Sequence, residues 1–233
     1  MALDFKTMSL EKKVTFISAV AIVAFSLIAF IVCLTVPSTQ EASREALSKA
    51  TKNLSITDAL RGNIPNIYSG INWTLCLGFF SCLAVAAIYY FKGLKTSIIP
   101  ESVPLKFVVP GVVVLTALFA WIYLSVGMGL MGPTGWMINK GTFWAILLIL
   151  FTLAFICLFC LAVLEKKDNL MAALPECVLV LAGIFMLLAT IGALAFNEES
   201  ESFTLVKISL VLNALSVMAF GCLTLLNAVK NEE

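Results

Sequence analysis

Three thiols, one acid and a polar stripe are the residues of this 233-residue chain whose types and spacing could do chemistry. Cys157 and Cys160 stand three apart and so share one helix face. Cys177 opens the next apolar run at a similar depth, so three sulfurs could converge as a thiol redox site or a soft-metal site. Inside an apolar helix, however, the CxxC has no adjacent cation to hold a thiolate, and no other cysteine pair completes a metal motif. Packing as small hydrophobes is the better-supported role. Cys33 and Cys76 fall near the outer ends of neighbouring runs and could pair only if the geometry brought them together.

Glu176 is the one acid that the pattern places near the hydrocarbon, where an ionisable residue is a functional candidate by default. Pro175 suits a first helical position, and a carboxylate in a first turn is favoured by the helix dipole. Glu176 is therefore expected to be an interfacial cap. Asn213, with Ser209 and Ser216 at helical spacing, makes a polar stripe inside the last run. Such a stripe can line a solute path, but it serves equally well as interhelical hydrogen bonding, which is the expectation here.

The composition removes whole classes of function. No histidine is present, which excludes histidine-ligated haem, zinc hydrolysis and Ser-His nucleophiles. There is no phosphate-binding glycine loop, acid pair or nucleophile with its base, so the chain reads as non-catalytic, and no cofactor or metal is expected. A net charge of +1 gives no reason to invoke nucleic acid. Apolar residues make up 61% of the chain and charged ones 12%, with a mean hydropathy of +1.04. Water cannot solvate that composition over an ordinary surface, so the chain belongs in a bilayer, with bound lipid around it. The seven cysteines lie in or beside apolar runs, unlike the framework of a secreted disulfide-rich fold.

The elements that must position these residues are six runs of about 20 or more predominantly apolar residues, at 14–36, 71–91, 107–131, 143–164, 175–196 and 206–229. Each spans the hydrocarbon core of roughly 30 Å as a helix, because lipid leaves backbone polar groups to be satisfied within the segment. The predicted fold is an all-α polytopic membrane protein, a single integral-membrane domain over 1–233 with six transmembrane helices. The first run is too long for a secretory signal and is read as an uncleaved span. Residues 37–70 form the long outer loop. Ala42, Ala46 and Ala50 predict a short amphipathic helix in it, and Ser55–Asp58 fits a capping box. The loop is read as lying on the membrane surface, with a cap or docking role as the sharper alternative. Asn53-Leu54-Ser55 and Asn72-Trp73-Thr74 match the glycosylation sequon, the second too near the membrane to matter.

With the N-terminus inside, nine Lys fall in the cytoplasmic segments and six Lys or Arg in the outer ones, which places both termini in the cytoplasm. Tyr68, Trp73, Trp136 and Trp144 then form an outer aromatic belt. Gly70-x-x-Trp73, Cys82-Leu83-Ala84-Val85 and Pro100-Glu101-Ser102-Val103 recur in order as Gly141-x-x-Trp144, Cys160-Leu161-Ala162-Val163 and Pro175-Glu176-Cys177-Val178. That order suggests repeated helical hairpins, although the Trp-to-Cys spacing is 9 in one copy and 16 in the other. In the third run Pro110, Trp121 at mid-membrane and Gly127, Gly129 and Gly132 suggest a kinked helix with a small-residue exit. Two functions follow. The leading one is an accessory subunit packing against other membrane subunits or copies of itself. The second is a small carrier or channel for a neutral or apolar solute.

Overall fold

The computed structural model describes residues 8–35, 69–127, 141–195 and 202–230. These contain six long helices and no strand: α1 (Leu10–Thr35), α2 (Ser69–Lys92), α3 (Leu105–Ile122), α4 (Gly141–Glu165), α5 (Leu170–Leu194) and α6 (Ser202–Lys230). All six are long and apolar enough to cross a membrane. The chain is an all-helical, multi-pass integral membrane protein. The expected helix at 38–50, the capping box and the Asn53 sequon lie outside the described residues.

Helix boundaries follow local chemistry. Gly93, at φ 73°, ends α2 in the left-handed conformation, its N–H bonded to the Tyr89 carbonyl at 3.0 Å. The end of α3 widens into a π-helical turn over Tyr123–Gly127, and the expected bound at residue 131 lies outside the described residues. The largest correction is at α5. Asn169 caps it, its side chain accepting from the Ala172 N–H at 3.2 Å, so the helix begins five residues before the expected 175. Pro175 is thus inside the helix and Glu176 is beyond the first turn. The ring of Pro175 disturbs only the Met171 carbonyl, in a turn whose Met171 side chain is exposed.

The helices pack in chain order as a closed ring, each against the next, with α6 returning to α1. A polar link spans every seam. Ser26 and Ser81 meet at 3.3 Å between α1 and α2, and Trp121 Nε1 donates to Asn72 Oδ1 at 2.9 Å between α3 and α2. Thr116 donates to the Phe151 carbonyl of α4 at 3.1 Å, and Lys166, just past α4, pairs with Glu176 of α5 at 2.6 Å. Asn213 Nδ2 donates to the Ala182 carbonyl at 2.7 Å between α6 and α5. Lys207 Nζ reaches the Leu34 carbonyl at 3.4 Å, closing the ring where the negative end of α1 favours a cation. Interhelical bonds of this kind contribute about 0.6–2 kcal/mol each in lipid.

Small residues let the backbones approach. A Cβ on Gly221 would lie 2.9 Å from Ile22 and Val23 methyls and 3.2 Å from the Ala19 carbonyl oxygen of α1. The interior divides into two apolar clusters. One, around Tyr89, Phe155, Phe159, Leu179 and Phe220, lies toward the end where α1 starts and α6 finishes. The other, around Ile71, Tyr123, Leu148 and Val206, lies toward the opposite end. Trp121 belongs at that opposite end, beside the first turn of α2, rather than at mid-membrane as expected. The hairpin repeat does not hold in its third element: Pro100–Val103 forms a turn ahead of α3, whereas Pro175–Val178 is inside α5.

Candidate functional site

Two cavities lie along the axis of the ring. The upper one is a chamber of about 60 Å³ to which all six helices contribute. Its walls are mostly small or apolar: Ala29, Gly78, Ala117, Ala182, Ala214 and Val217 among them. The polar groups on that wall are already committed to hydrogen bonds: Ser26 to Ser81, Thr74 to the Ala29 carbonyl, Thr116 to two carbonyls and Asn213 to Ala182. The chamber therefore presents hydrocarbon to whatever enters it.

The second is a vestibule of about 180 Å³ between the start of α1, the end of α2, the start of α5 and the end of α6. Lys12, Glu11, Lys92 and Asn227 are exposed at its rim, and Tyr89, Glu176, Phe220 and Thr224 are buried on its floor. One helical turn separates the two cavities on α2, α5 and α6, since Val85, Leu179 and Val217 line the chamber while Tyr89, Glu176 and Phe220 line the vestibule. Between them is an aromatic layer. Tyr89 meets Phe159 edge-on at 5.1 Å and stacks on Phe220 at 6.2 Å, and Phe159 lies 4.7 Å from Phe155.

Glu176 is the chemical centre of the vestibule. It is 3% exposed. Its Oε1 accepts from Lys166 Nζ at 2.6 Å and from the Tyr89 hydroxyl at 3.4 Å, while its Oε2 is buried without a hydrogen-bond partner. Lys166 Nζ also donates to the Ala172 carbonyl at 3.3 Å, so the lysine is held by the exposed first turn of α5 and reaches inward from there. A buried carboxylate held by one lysine and one phenol is an acceptor with capacity left over. This is a different role from the interfacial cap that Pro175 suggested. The cap at this helix end is Asn169.

The other candidates separate. Asn213 reaches the chamber wall, but its amide ties α6 to α5. Ser209 and Ser216 are buried away from both cavities, and Ser216 donates to the Leu212 carbonyl of its own helix. Asn213 thus bonds between helices and Ser216 within its own, and the three residues do not line one cavity together. Cys157 and Cys177 are electrostatic neighbours of Cys160 along the α4–α5 seam, but Cys157 is exposed on the outside of the ring. Among the described residues no three His, Cys, Asp or Glu converge as a metal site, and all seven cysteines are free. Cys33 instead donates to the Lys207 carbonyl at 3.8 Å, which leaves the conceived pairing with Cys76 unmade. The Asn72 sequon is helical, with its Asn bonded to Trp121 and its Thr74 buried.

Sequence reasoning missed Tyr89 and counted Lys166 only among the nine lysines of the cytoplasmic segments. Their signal was available: Lys166 is one of two adjacent lysines just ahead of a run that contains a single acid, and Tyr89 stands one turn before the end of α2. No protein-family model matches this chain, and it has no detectable relative among characterised proteins or solved structures.

Proposed function

We propose that this membrane protein is a non-catalytic carrier that binds a small apolar or net-neutral solute at the centre of its helix ring. The observation that carries the reading is the chamber to which all six helices contribute. At about 24 cal/mol per Å³, leaving 60 Å³ unfilled costs about 1.4 kcal/mol that a purely structural bundle has no reason to bear. The solute class follows from the walls, which are mostly apolar and whose polar side chains each already make a hydrogen bond. The aromatic layer between chamber and vestibule supplies the barrier that a carrier needs on one side.

The accessory-subunit reading has less support. Large exposed apolar side chains run round the whole outside, including Ile31 on α1, Phe80 on α2, Phe107 on α3, Leu150 on α4, Ile191 on α5 and Ile208 on α6. Lipid requires that distribution, whereas a partner would favour one concentrated seam. The geometry therefore moves the preference from subunit to carrier.

Purified protein in nanodiscs tests the reading through cavity ligands. Xenon, a single apolar atom small enough for the chamber, should raise the unfolding temperature of the wild type, with a stabilisation of about 2.7 kcal/mol at one hundred times the Kd. Ala214→Leu, which fills the chamber, should remove the response. An equal response in both proteins would overturn the reading. So would a native particle mass showing a stable assembly with other chains together with no response to xenon.

A further inference from the structure

The vestibule has a chemistry that the apolar chamber does not, and its assignment does not rest on the carrier reading. Its floor ends in the Glu176 carboxylate, whose Oε2 is buried and unpartnered, beside the Tyr89 hydroxyl. Among the described residues, its rim carries Lys12 and Lys92 against one acid, Glu11. Because Lys166 already neutralises Glu176 from the α4–α5 turn, these described rim residues leave an excess of one positive charge at the mouth. Depth and charge are thus sorted: an acceptor lies at the bottom and cations stand at the opening. At about 180 Å³ the space exceeds the engineered cavity of ~150 Å³ that holds benzene, enough for a ligand of roughly six to ten heavy atoms.

We infer that the vestibule is a binding site for a small zwitterion whose primary ammonium donates to Glu176 and whose phosphate or carboxylate is held by Lys12 and Lys92. The ammonium must carry N–H groups, since the floor residues Glu176, Tyr89 and Thr224 all bring acceptor oxygens. The anion must sit shallow, since both rim lysines are exposed and Lys side chains keep their heads at the water interface. This chemistry has two natural sources, a free amino-acid-like or phosphoethanolamine-like solute and the head group of an ethanolamine lipid. Both present the same two charges a few bonds apart.

Phosphoethanolamine and phosphocholine are the probes that isolate the claim. They share the phosphate and differ in whether the nitrogen can donate. Calorimetric titration of the full-length protein in detergent should show phosphoethanolamine binding at least about tenfold more tightly than phosphocholine. Glu176→Gln should weaken phosphoethanolamine by about tenfold or more. Lys12→Ala combined with Lys92→Ala should weaken it by a similar factor while leaving the unfolding temperature unchanged, because both side chains are exposed. That double variant keeps the test intact if Glu176→Gln does not fold. Equal affinity for the two probes, or wild-type affinity in the rim double variant, would overturn the proposal. Nanodiscs made with equal amounts of ethanolamine and choline phospholipid separate the sources. Retention of ethanolamine lipid through purification, lost in the rim double variant, assigns a lipid head group. Binding of free phosphoethanolamine with no such enrichment assigns a soluble zwitterion, and neither binding nor enrichment refutes the site.

Discussion

Glu176 and Lys166 form an ion pair of unequal exposure: the carboxylate side chain is 4% accessible and the lysine 34%. Removing the lysine strands a buried charge, whereas removing both leaves neutral side chains. Breaking a fully buried pair costs about 3–5 kcal/mol and a surface pair about 0–1, so Lys166→Ala should destabilise by about 2 kcal/mol. Lys166→Arg should restore most of that loss, and Lys166→Ala with Glu176→Gln should be more stable than Lys166→Ala alone. Unfolding midpoints in detergent, arranged as a double-mutant cycle, check the coupling. The sequence made Glu176 conspicuous as the lone acid of the apolar runs. Its environment was misjudged because Pro175 is favoured at a helix start and nothing local showed that Asn169 would cap the helix earlier. That outcome depended on Lys166 folding back over ten residues, a contact no helical periodicity encodes.

The helices themselves were legible, since run length against bilayer thickness leaves few alternatives. What the runs did not reveal is how closely the elements meet. Gly221 and Gly111 look alike in sequence, yet Gly221 presses on α1 while a Cβ on Gly111 would meet nothing within 4 Å. Gly221→Ala should cost about 1–3 kcal/mol through overpacking. Gly111→Ala should be neutral or stabilising by up to about 1 kcal/mol, because Ala restricts the unfolded chain and favours helix. Midpoints of the two variants measured side by side test both signs. The hairpin repeat shows the limit of reading apolar segments by eye. A small alphabet repeats short strings, but Pro100 begins a turn and Pro175 continues a helix because of what precedes each.

At the level of the molecule, inside and outside are reversed relative to a soluble protein, and the thiols report it. Cys157 and Cys222 are exposed on a lipid-facing exterior, while Cys33 is buried in the seam beside Lys207. A lipid-soluble carbene, released from a diazirine by light, should insert at Cys157 and Cys222 in the folded protein and at Cys33 only after denaturation. Mass spectrometry of the labelled peptides reads the order, and early labelling of Cys33 would contradict the ring closure between α1 and α6. The closure itself was not legible. Six antiparallel helices are compatible with many arrangements, and the chamber exists only because the last helix returns to the first.

That return has a topological consequence. Met8 and Lys12 at the start of α1 share the vestibule wall with Asn227 and Ala228 at the end of α6. In a ring packed in chain order, no seam depends on which helix comes first. A circularly permuted gene, with a short linker joining α6 to α1 and new ends at the α2–α3 connection, should therefore fold to the same ring. All its ends and the linker stay on one side of the membrane, so nothing polar has to cross. Such a permutant should keep the six polar seams and lose the two bonds that Ser97 donates to the Glu165 carboxylate, at 2.9 Å from its hydroxyl and 3.1 Å from its N–H, which tie that connection down. Its unfolding temperature and its response to chamber ligands should match those of the parent to within the small contribution of one exposed carboxylate.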